Sequence, residues 1–314
     1  MNNIYYIEEI NKLRKQKNAV ILAHYYQVPE IQDIADFIGD SLALSQQAAK
    51  TKADIIVFAG VHFMAETAKI INPKKKVLIP DLEAGCSLAD SCPDDKLEKF
   101  IKMNPGHKVI SYINCSSKVK ALSDVICTSS NAVKIVESFS KEEKLIFAPD
   151  KNLGNYINSL TGRNMLLWDG ACHVHELFSV EKIIELKKNN PEAKIIAHPE
   201  CQKPVLIISD FIGSTSELLK YAGKSNDSVF IVATESGILH QMIKENPAKK
   251  FIPAPPNDST CACNDCEFMK KITLKKTYES LNEEKFEINL DEAIRIKAEK
   301  PILKMLEISA KAGL

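Results

Sequence analysis

The sequence predicts an α/β protein of three homologous αβα sandwich domains, each with a short parallel sheet, around a pseudo-threefold axis. Three apolar runs, which begin at Val20, Val109 and Ile195, each end in two polar residues that are separated by one position. An aspartate and then a hydroxyl residue follow each run at matching separations: Asp36 and Ser41, Asp124 and Ser129, Asp210 and Thr215. Because these separations agree without a gap, the three segments are copies of one unit.

Strand-like and helix-like segments alternate within each copy. A second apolar run begins at Ile55, Leu145 and Val229 in the three copies, and a third begins at Val77, Met165 and Phe251. The helical patterns SLALSQQAAK, NAVKIVESF and SELLKYAGK lie between the first and second runs. Strands that alternate with helices predict a parallel sheet covered by helices.

The spacing of the copies, 88 residues from His24 to Tyr112 and 86 from Tyr112 to His198, is that of small domains rather than of solenoid turns. We expect a first domain at residues 1–88, a second at 89–175 and a third at 176–271. Helical residues 272–314 are expected to pack back on the first domain, together with the N-terminal helix. An open row of three tandem units is the alternative to closure around an axis.

The polar pairs predict a shared site, because ligands of parallel sheets bind at the carboxyl ends of the strands. The pairs are His24 and Tyr26, Tyr112 and Asn114, and His198 and Glu200. A lone histidine is more often a core residue than a catalyst, but six hydrogen-bonding residues at equivalent positions favour a functional site. Histidine, tyrosine and glutamate supply acids and bases for catalysis.

Four hydroxyl residues precede the helical patterns: Ser41, Ser129, Ser214 and Thr215. Helix capping alone would explain them. The free N–H groups of a helix N-terminus also attract carboxylate or phosphate, however, and three such termini around one cavity favour an anionic substrate. Few of the candidate cavity residues are basic, so neutral donors and helix dipoles would hold the anion.

Each copy also ends in cysteine: Cys86, Cys172 and the CACNDC cluster with Cys261, Cys263 and Cys266. Three thiolates from related loops suit a soft metal centre. Structural zinc usually takes four protein ligands and catalytic zinc favours histidine, so a 4Fe-4S cluster with one open iron is the preferred interpretation. These spacings leave open which cysteine of the last cluster is the ligand.

The other cysteines and the histidines beside Cys172 have less distinct roles. Cys115, Cys127 and Cys201 are interpreted as small packed residues, and Cys92 has no assigned role. His173 follows the end of a strand. His175 either orients a substrate or supports Cys172.

Composition narrows the class of partner. The chain has 314 residues, with 41 basic and 41 acidic ones, so its net charge is zero. The usual electrostatic reason to expect binding to nucleic acid or to a membrane surface is therefore absent. No apolar run approaches a membrane span, and the N-terminal segment is typical of a surface helix rather than a signal peptide. We therefore expect a cytoplasmic protein in which the nine cysteines are not a disulfide framework.

Several motifs, in this order, resemble the quinolinate synthase family over essentially the whole chain. They are AHYYQVPEIQDIADFIGDS from Ala23, FAGVHFMAETAKI from Phe58, TSSNAV from Thr128, APDKNLG from Ala148, CHVHE from Cys172, HPEC from His198, GST from Gly213 and CEFMKKITLKKTYESL from Cys266. The departures from the family pattern are mild: Tyr25 stands where an asparagine is common, and His62 where an aspartate is common.

The resemblance implies a transferase of NAD biosynthesis that condenses iminoaspartate with dihydroxyacetone phosphate to quinolinate, phosphate and water. It also implies one 4Fe-4S cluster per chain on Cys86, Cys172 and Cys266, whose open iron acts as a Lewis acid in dehydration. Cys261 and Cys263 would then be redox-active or idle. A functional link to an L-aspartate oxidase is a further expectation.

By the same matching, ten positions correspond to the family's active site: His24, Tyr26, Ser41, Tyr112, Asn114, Ser129, His198, Glu200, Ser214 and Thr215. Tyr26, Tyr112, His198 and Glu200 are the candidate catalytic residues among them. The alternatives are another 4Fe-4S hydro-lyase, or an iron-sulfur or zinc redox sensor with CACNDC as its thiol switch. A sensor would leave the three polar pairs without a purpose.

Overall fold

Residues 3–257 and 264–314 are described in the computed structural model of the chain. The first repeat contains α1 (Asn3–Gln16), β1 (Ala19–His24), α2 (Pro29–Ile34), β2 (Phe37–Gly39), α3 (Ser41–Lys50), β3 (Ile55–Ala59), α4 (His62–Ile71), β4 (Lys76–Leu78) and α5 (Ser87–Asp90). The second contains α6 (Asp94–Met103), β5 (Lys108–Tyr112), α7 (Ser117–Ala121), β6 (Val125–Cys127), α8 (Ala132–Glu137), β7 (Leu145–Ala148), α9 (Lys151–Thr161), β8 (Leu166–Leu167) and α10 (His173–Glu176).

The third repeat contains α11 (Val180–Asn189), β9 (Lys194–Ala197), α12 (Lys203–Ile207), β10 (Phe211–Ile212), α13 (Thr215–Lys224), β11 (Val229–Ala233), α14 (Ile238–Glu245) and β12 (Lys250–Pro253). A 3₁₀ turn at Met269–Lys271, α15 (Leu274–Glu283) and α16 (Glu292–Lys311) follow. Within the described residues, no helix combines the length and the apolar character needed to cross a lipid bilayer.

The strands within the described ranges form three four-stranded sheets in which every pairing is parallel. Their orders are β2-β1-β3-β4, β6-β5-β7-β8 and β10-β9-β11-β12. The predicted fold of three αβα sandwiches is confirmed. Each sheet has one strand more than the sequence predicted: the edge strand β2, β6 or β10. These strands were not predicted because two or three residues are too few to show the alternation of apolar and polar residues that indicates a strand.

The repeated aspartate holds each edge strand in register. The backbone N–H groups of Ile21, Val109 and Ile195 donate to Asp36, Asp124 and Asp210, at 2.8 Å in each repeat. Each aspartate returns its own N–H to the carbonyl of the same partner residue, at 3.0, 2.9 and 2.7 Å. This two-way contact joins the first strand to the loop before the edge strand, which gives a physical reason for the aspartate at this position of every copy.

The C-terminal helices pack on two repeats. Helix α15 lies against α1 of the first repeat. Helix α16 reaches further, because it contacts α7, β6 and α8 of the second repeat as well as α4 of the first. Its buried residues Ile302 and Met305 belong to one hydrophobic core that runs through both repeats, whereas the third repeat has separate cores on the two faces of its sheet.

Replacing Asp124 by alanine is expected to lower the free energy of unfolding by about 1–3 kcal/mol, because the N–H of the buried Val109 loses its acceptor. Urea denaturation followed by circular dichroism measures the change. Asp169 is the matched control, since its side chain is 89% exposed and only pairs with Lys151 at the surface. Asp169→Ala should change stability by less than about 0.5 kcal/mol; equal losses in the two variants would contradict the role given to the repeated aspartate.

Candidate active site

A buried cavity lies where the carboxyl ends of the three sheets meet, and it encloses about 640 Å³ of space including its mouth. Its lining includes the predicted residues His24, Tyr26, Ser41, Cys86, Tyr112, Asn114, Ser129, Cys172, His198, Glu200, Thr215 and Cys266. The polar pairs come from different repeats and meet here because parallel strands place their carboxyl ends at one edge of a sheet. An apolar wall with Phe63, Met64 and Phe268 completes the lining.

Ser214 is the predicted residue that lies outside this lining. It is the N-cap of α13, where its hydroxyl accepts from the N–H of Glu217 at 3.4 Å and its own N–H donates to the Glu217 carboxylate at 2.7 Å. This reciprocal capping box uses the groups that a ligand would need. The part of Ser214 in substrate binding stays a prediction.

The other hydroxyl residues are not the helix caps. Asp40 caps α3, where it accepts from the N–H of Ala43 at 3.0 Å, so that Ser41 is the first residue of the helix. Asp40 also accepts from the Ser130 hydroxyl of the second repeat at 2.7 Å. Because Asp40 does the capping, the Ser41 hydroxyl is left to line the cavity; Ser129 lies two residues before Asn131, the N-cap of α8, which makes no side-chain capping bond.

A series of polar side chains links the three repeats along one side of the cavity. The Nδ1 atom of His175 lies 2.8 Å from a carboxylate oxygen of Glu200, and its Nε2 lies 3.0 Å from the Thr234 hydroxyl. That hydroxyl lies 2.7 Å from the Tyr26 hydroxyl, which in turn lies 3.0 Å from the Thr215 hydroxyl. We call Glu200, His175, Thr234 and Tyr26 the polar relay.

Burial controls the charge of the two strand-end histidines. It lowers the pKa of His24 to about 4 and that of His198 to about 3, although nearby carboxylates act in the opposite direction. The ring of His198 stacks on that of His175 with 4.8 Å between centroids. Both strand-end histidines are therefore neutral at pH 7 in the ligand-free cavity, where they can donate or accept hydrogen bonds.

The acid and the phenols of the site have opposite tendencies. Burial alone would raise the pKa of Glu200, but the His175 ring 2.8 Å away and hydrogen bonding from Tyr112 outweigh it and lower the pKa. Burial, followed by the charge of Glu200, raises the pKa of Tyr26 and Tyr112 well above that of a free phenol. At pH 7 an ionised Glu200 thus lies beside two protonated phenols in the cavity.

The three candidate ligand cysteines stand at equivalent turns. Cys86 is the N-cap of α5, Cys172 is the N-cap of α10, and Cys266 precedes the 3₁₀ turn Met269–Lys271. Burial raises the pKa of Cys86 to about 12, that of Cys266 to about 11 and that of Cys172 well above the ordinary thiol value, while backbone N–H groups of each following turn oppose the shift. These thiols are neutral without a metal, and binding one would release their protons.

The remaining described cysteines, Cys92, Cys115, Cys127 and Cys201, are buried away from the cavity lining, and none of the described cysteines forms a disulfide. Cys201 donates its thiol proton to the carbonyl of Ala233 at 3.3 Å. Cys261 and Cys263 lie outside the described residues.

A single metal ion has a different candidate site. Among the described residues, Cys172, His175 and Glu200 are the group whose ligand atoms come close enough for one ion, within 4.8 Å of one another. That group contains only one of the three cysteines at equivalent turns. A centre that reaches Cys86, Cys172 and Cys266 together has to be larger than one ion, and three thiols in a largely apolar pocket suit an iron-sulfur cluster.

Sequence reasoning missed Asp40 and Glu235 of the cavity lining, and also Thr234, which belongs to the polar relay but not to the lining. Thr234 and Glu235 directly follow β11, so their strand-end position was the available signal, but no matching polar pair marked them in the other copies. Asp40 also lines the cavity, but only its neighbour Ser41 was predicted. The role of His175 was left open between two interpretations, and the structure places it between Glu200 and Thr234.

Fold and site together define an enzyme-type α/β protein of three repeats with a cysteine-bearing cavity at their junction. The chain belongs to the quinolinate synthetase A family, since the family model described as "Quinolinate synthetase A protein" matches residues 8–307. Similar curated proteins include the quinolinate synthase of Thermosynechococcus vestitus, 60% identical over 303 residues, which are 96% of this chain and 95% of that protein.

Two further relatives also bear the name quinolinate synthase. The protein of a Synechocystis species is 60% identical over 300 residues, and that of Chloroherpeton thalassium is 58% identical over 302 residues. Each match covers 96% of this chain and 94% of the relative. Relatives that are named as enzymes and align over nearly their whole length indicate that this chain is an enzyme.

Serine substitution of Cys86, Cys172 or Cys266, one at a time, is expected to abolish iron binding and the visible absorbance of the anaerobically purified protein, because each would remove one of the three expected thiolate ligands. Cys201→Ser is the matched control, since Cys201 is buried in the third repeat but outside the cavity lining. Full iron content in the Cys266 variant, or loss of iron in the Cys201 variant, would contradict this ligand assignment.

Proposed function

We propose that this chain is a quinolinate synthase in activity: it condenses iminoaspartate with dihydroxyacetone phosphate and releases quinolinate, one phosphate and two waters. The observation that carries the proposal is the polar relay from Glu200 to Tyr26, which faces the same buried cavity as Cys86 and Cys172. Family membership supports the activity, and the cavity chemistry supports these two anionic substrates. The product places the chain in the biosynthesis of NAD, with a functional link to an L-aspartate oxidase that would supply iminoaspartate.

The cavity residues fit a 4Fe-4S cluster. Cys86, Cys172 and Cys266 would hold it, one from each repeat, and the absence of disulfides among the described cysteines leaves these thiols available. When bound, such a cluster supplies Lewis acidity at its open iron, which assists the loss of a hydroxyl group from substrate.

Neutral donors bind the anionic substrates. Within the described part of the chain, no lysine or arginine lines the cavity. Ser41 and Thr215 are the first residues of α3 and α13, so hydroxyl and backbone N–H donors of these helices are available to phosphate or carboxylate. Asn114 and Ser129 add donors from the second repeat.

Proton transfer during isomerisation and condensation falls to the polar relay. Glu200 is ionised and can accept a proton, while Tyr26 is protonated and can donate one to a substrate oxygen. His175 and Thr234 lie between the two, with successive polar atoms 2.7 to 3.0 Å apart, although the His175 Nδ1 atom lacks hydrogen-bond geometry toward Glu200 in this arrangement. We assign the return of a proton to Tyr26 to these two side chains. Tyr112 and His198 flank the carboxylate and complete the catalytic set.

The alternative functions fit fewer of these contacts. Another 4Fe-4S hydro-lyase would share the cysteines and the relay, and the product decides between the two. A redox sensor needs accessible thiols and has no use for a buried proton path between repeats. Cys172, His175 and Glu200 could together bind one zinc ion, but Glu200 would then be a metal ligand and could not accept a proton from the substrate.

Glu200→Gln should leave the iron content and visible spectrum unchanged but lower the turnover of quinolinate formation by about 10²- to 10⁴-fold, because the shape is kept while the proton acceptor is lost. The assay supplies iminoaspartate and dihydroxyacetone phosphate to the anaerobically purified protein and detects quinolinate by chromatography.

The control is Glu181→Gln, which changes an exposed glutamate at the start of α11 and should keep full turnover. Near-normal turnover of the Glu200 variant would remove this residue from the mechanism. Failure of the wild-type protein to form quinolinate, with its iron present, would overturn the proposed activity.

A further inference from the structure

A second buried acid of the cavity wall, Glu235, lies outside the polar relay. It comes two residues after β11 and is 1% exposed. One carboxylate oxygen accepts from the backbone N–H of Cys266 at 3.0 Å and lies 2.7 Å from the Lys270 ammonium. The other accepts from the backbone N–H of Gly237 at 2.7 Å. Both oxygens are therefore committed to holding other parts of the chain.

Lys270 extends this contact to the first repeat. Its ammonium group donates to the main-chain carbonyl of Tyr26 at 2.8 Å while it pairs with Glu235. The N–H of Lys270 also donates to the carbonyl of Cys266 at 3.1 Å, which closes the turn that carries this cysteine. One lysine thus contacts the cysteine turn, the buried acid and the Tyr26 segment.

Gly237 connects the same two regions by close packing. A Cβ atom at this position would lie 2.7 to 2.8 Å from main-chain atoms of Tyr26, a separation that side chains do not tolerate. Glu235 holds the Gly237 N–H, and the side-chain amide of Gln32 in the first repeat donates to the Gly237 carbonyl at 2.9 Å. The loop after β11 is therefore seated directly against the backbone of Tyr26.

The second repeat holds its cysteine in a comparable way. Asp150, buried after β7, accepts from the backbone N–H of Cys172 at 3.3 Å and from that of Leu153 at 2.8 Å. In both the second and the third repeat, the acid two residues after β7 or β11 thus accepts from the backbone N–H of the candidate ligand cysteine. Within residues 3–257 and 264–314, only the third repeat has a lysine that extends the contact to a residue of the polar relay.

We propose that Glu235 and Lys270 are positioning residues that fix the Cys266 turn and the Tyr26 segment in one arrangement, so that the metal centre and the proton donor keep a constant relative position. The proposal rests on the proposed function in that it takes Cys266 as a cluster ligand and Tyr26 as a proton donor. Groups behind metal ligands commonly orient them in this way. Neither Glu235 nor Lys270 has to touch a substrate for this role.

The test compares Glu235→Gln, Lys270→Met, Lys270→Arg and the double variant Glu235→Gln/Lys270→Met with wild type. Both oxygens of Glu235 accept from N–H donors: Cys266 and Lys270 on one side, Gly237 on the other. Glutamine replaces one of these acceptors by an NH₂ group, so that two donors face each other. Arginine at position 270 keeps the charge and should rescue most of the effect. The double variant should be less impaired than the sum of the two single changes, because the two residues act as one unit.

Two readouts follow the cysteine turn directly. In the cluster-loaded protein, a strong iron chelator should remove iron about tenfold faster from Glu235→Gln and Lys270→Met than from wild type, since loss of a charge-assisted hydrogen bond increases local opening. In the metal-free chain, iodoacetamide should alkylate Cys266 about tenfold faster, with Cys86 unchanged within about twofold, as peptide mass spectrometry measures. Turnover per loaded cluster should fall while KM changes little.

The matched control is Lys271→Met, at the neighbouring lysine, whose partner Glu83 has a side chain that is 79% exposed. It should match wild type in every readout. If Glu235→Gln and Lys270→Met match the control in iron release and in Cys266 alkylation, the positioning role is wrong. The alkylation result needs neither cluster nor substrate, so it stands or falls separately from the quinolinate assay of the wild-type protein.

Discussion

The whole site depends on one constraint: three separate parallel sheets turn their carboxyl ends toward a common cavity. In a parallel sheet, the backbone N–H and C=O groups of each strand bond to the neighbouring strands. The residues that follow each strand are outside this ladder and can form turns. In each repeat those turns carry a polar pair and a cysteine. Because the three turns come from different repeats, contacts such as that between Tyr26 and Thr234 join segments that are far apart in the chain.

Burial at this junction decides the chemistry of each side chain. Loss of water makes a charged histidine costly, so His24 and His198 are neutral, and it keeps the phenols protonated. Glu200 stays ionised because the contact with His175 and the hydrogen bond from Tyr112 offset the cost of its burial. The same burial keeps the free thiols of Cys86, Cys172 and Cys266 protonated, so a metal centre bound there would have to displace their protons. One cavity can thus hold a proton path and a metal site side by side.

The sequence was sufficient for the central strands and for the place of the site. Long apolar runs predicted β1, β5 and β9, and the rule that ligands bind at strand ends placed His24, Tyr112 and Glu200 near one another before any coordinates. The edge strands were too short to show a period, and their position depends on the aspartate contact with the first strand. Glu235 was not predicted because its partners, Cys266 and Lys270, follow a segment of chain whose path the sequence does not reveal.

The most direct test of the central claim is the iron content of the anaerobically purified protein, combined with its Mössbauer spectrum. Three cysteines that meet from three repeats predict four irons per chain, with one iron distinct from the other three because it lacks a cysteine ligand. A single bound zinc or iron, held by Cys172, His175 and Glu200, would contradict the account.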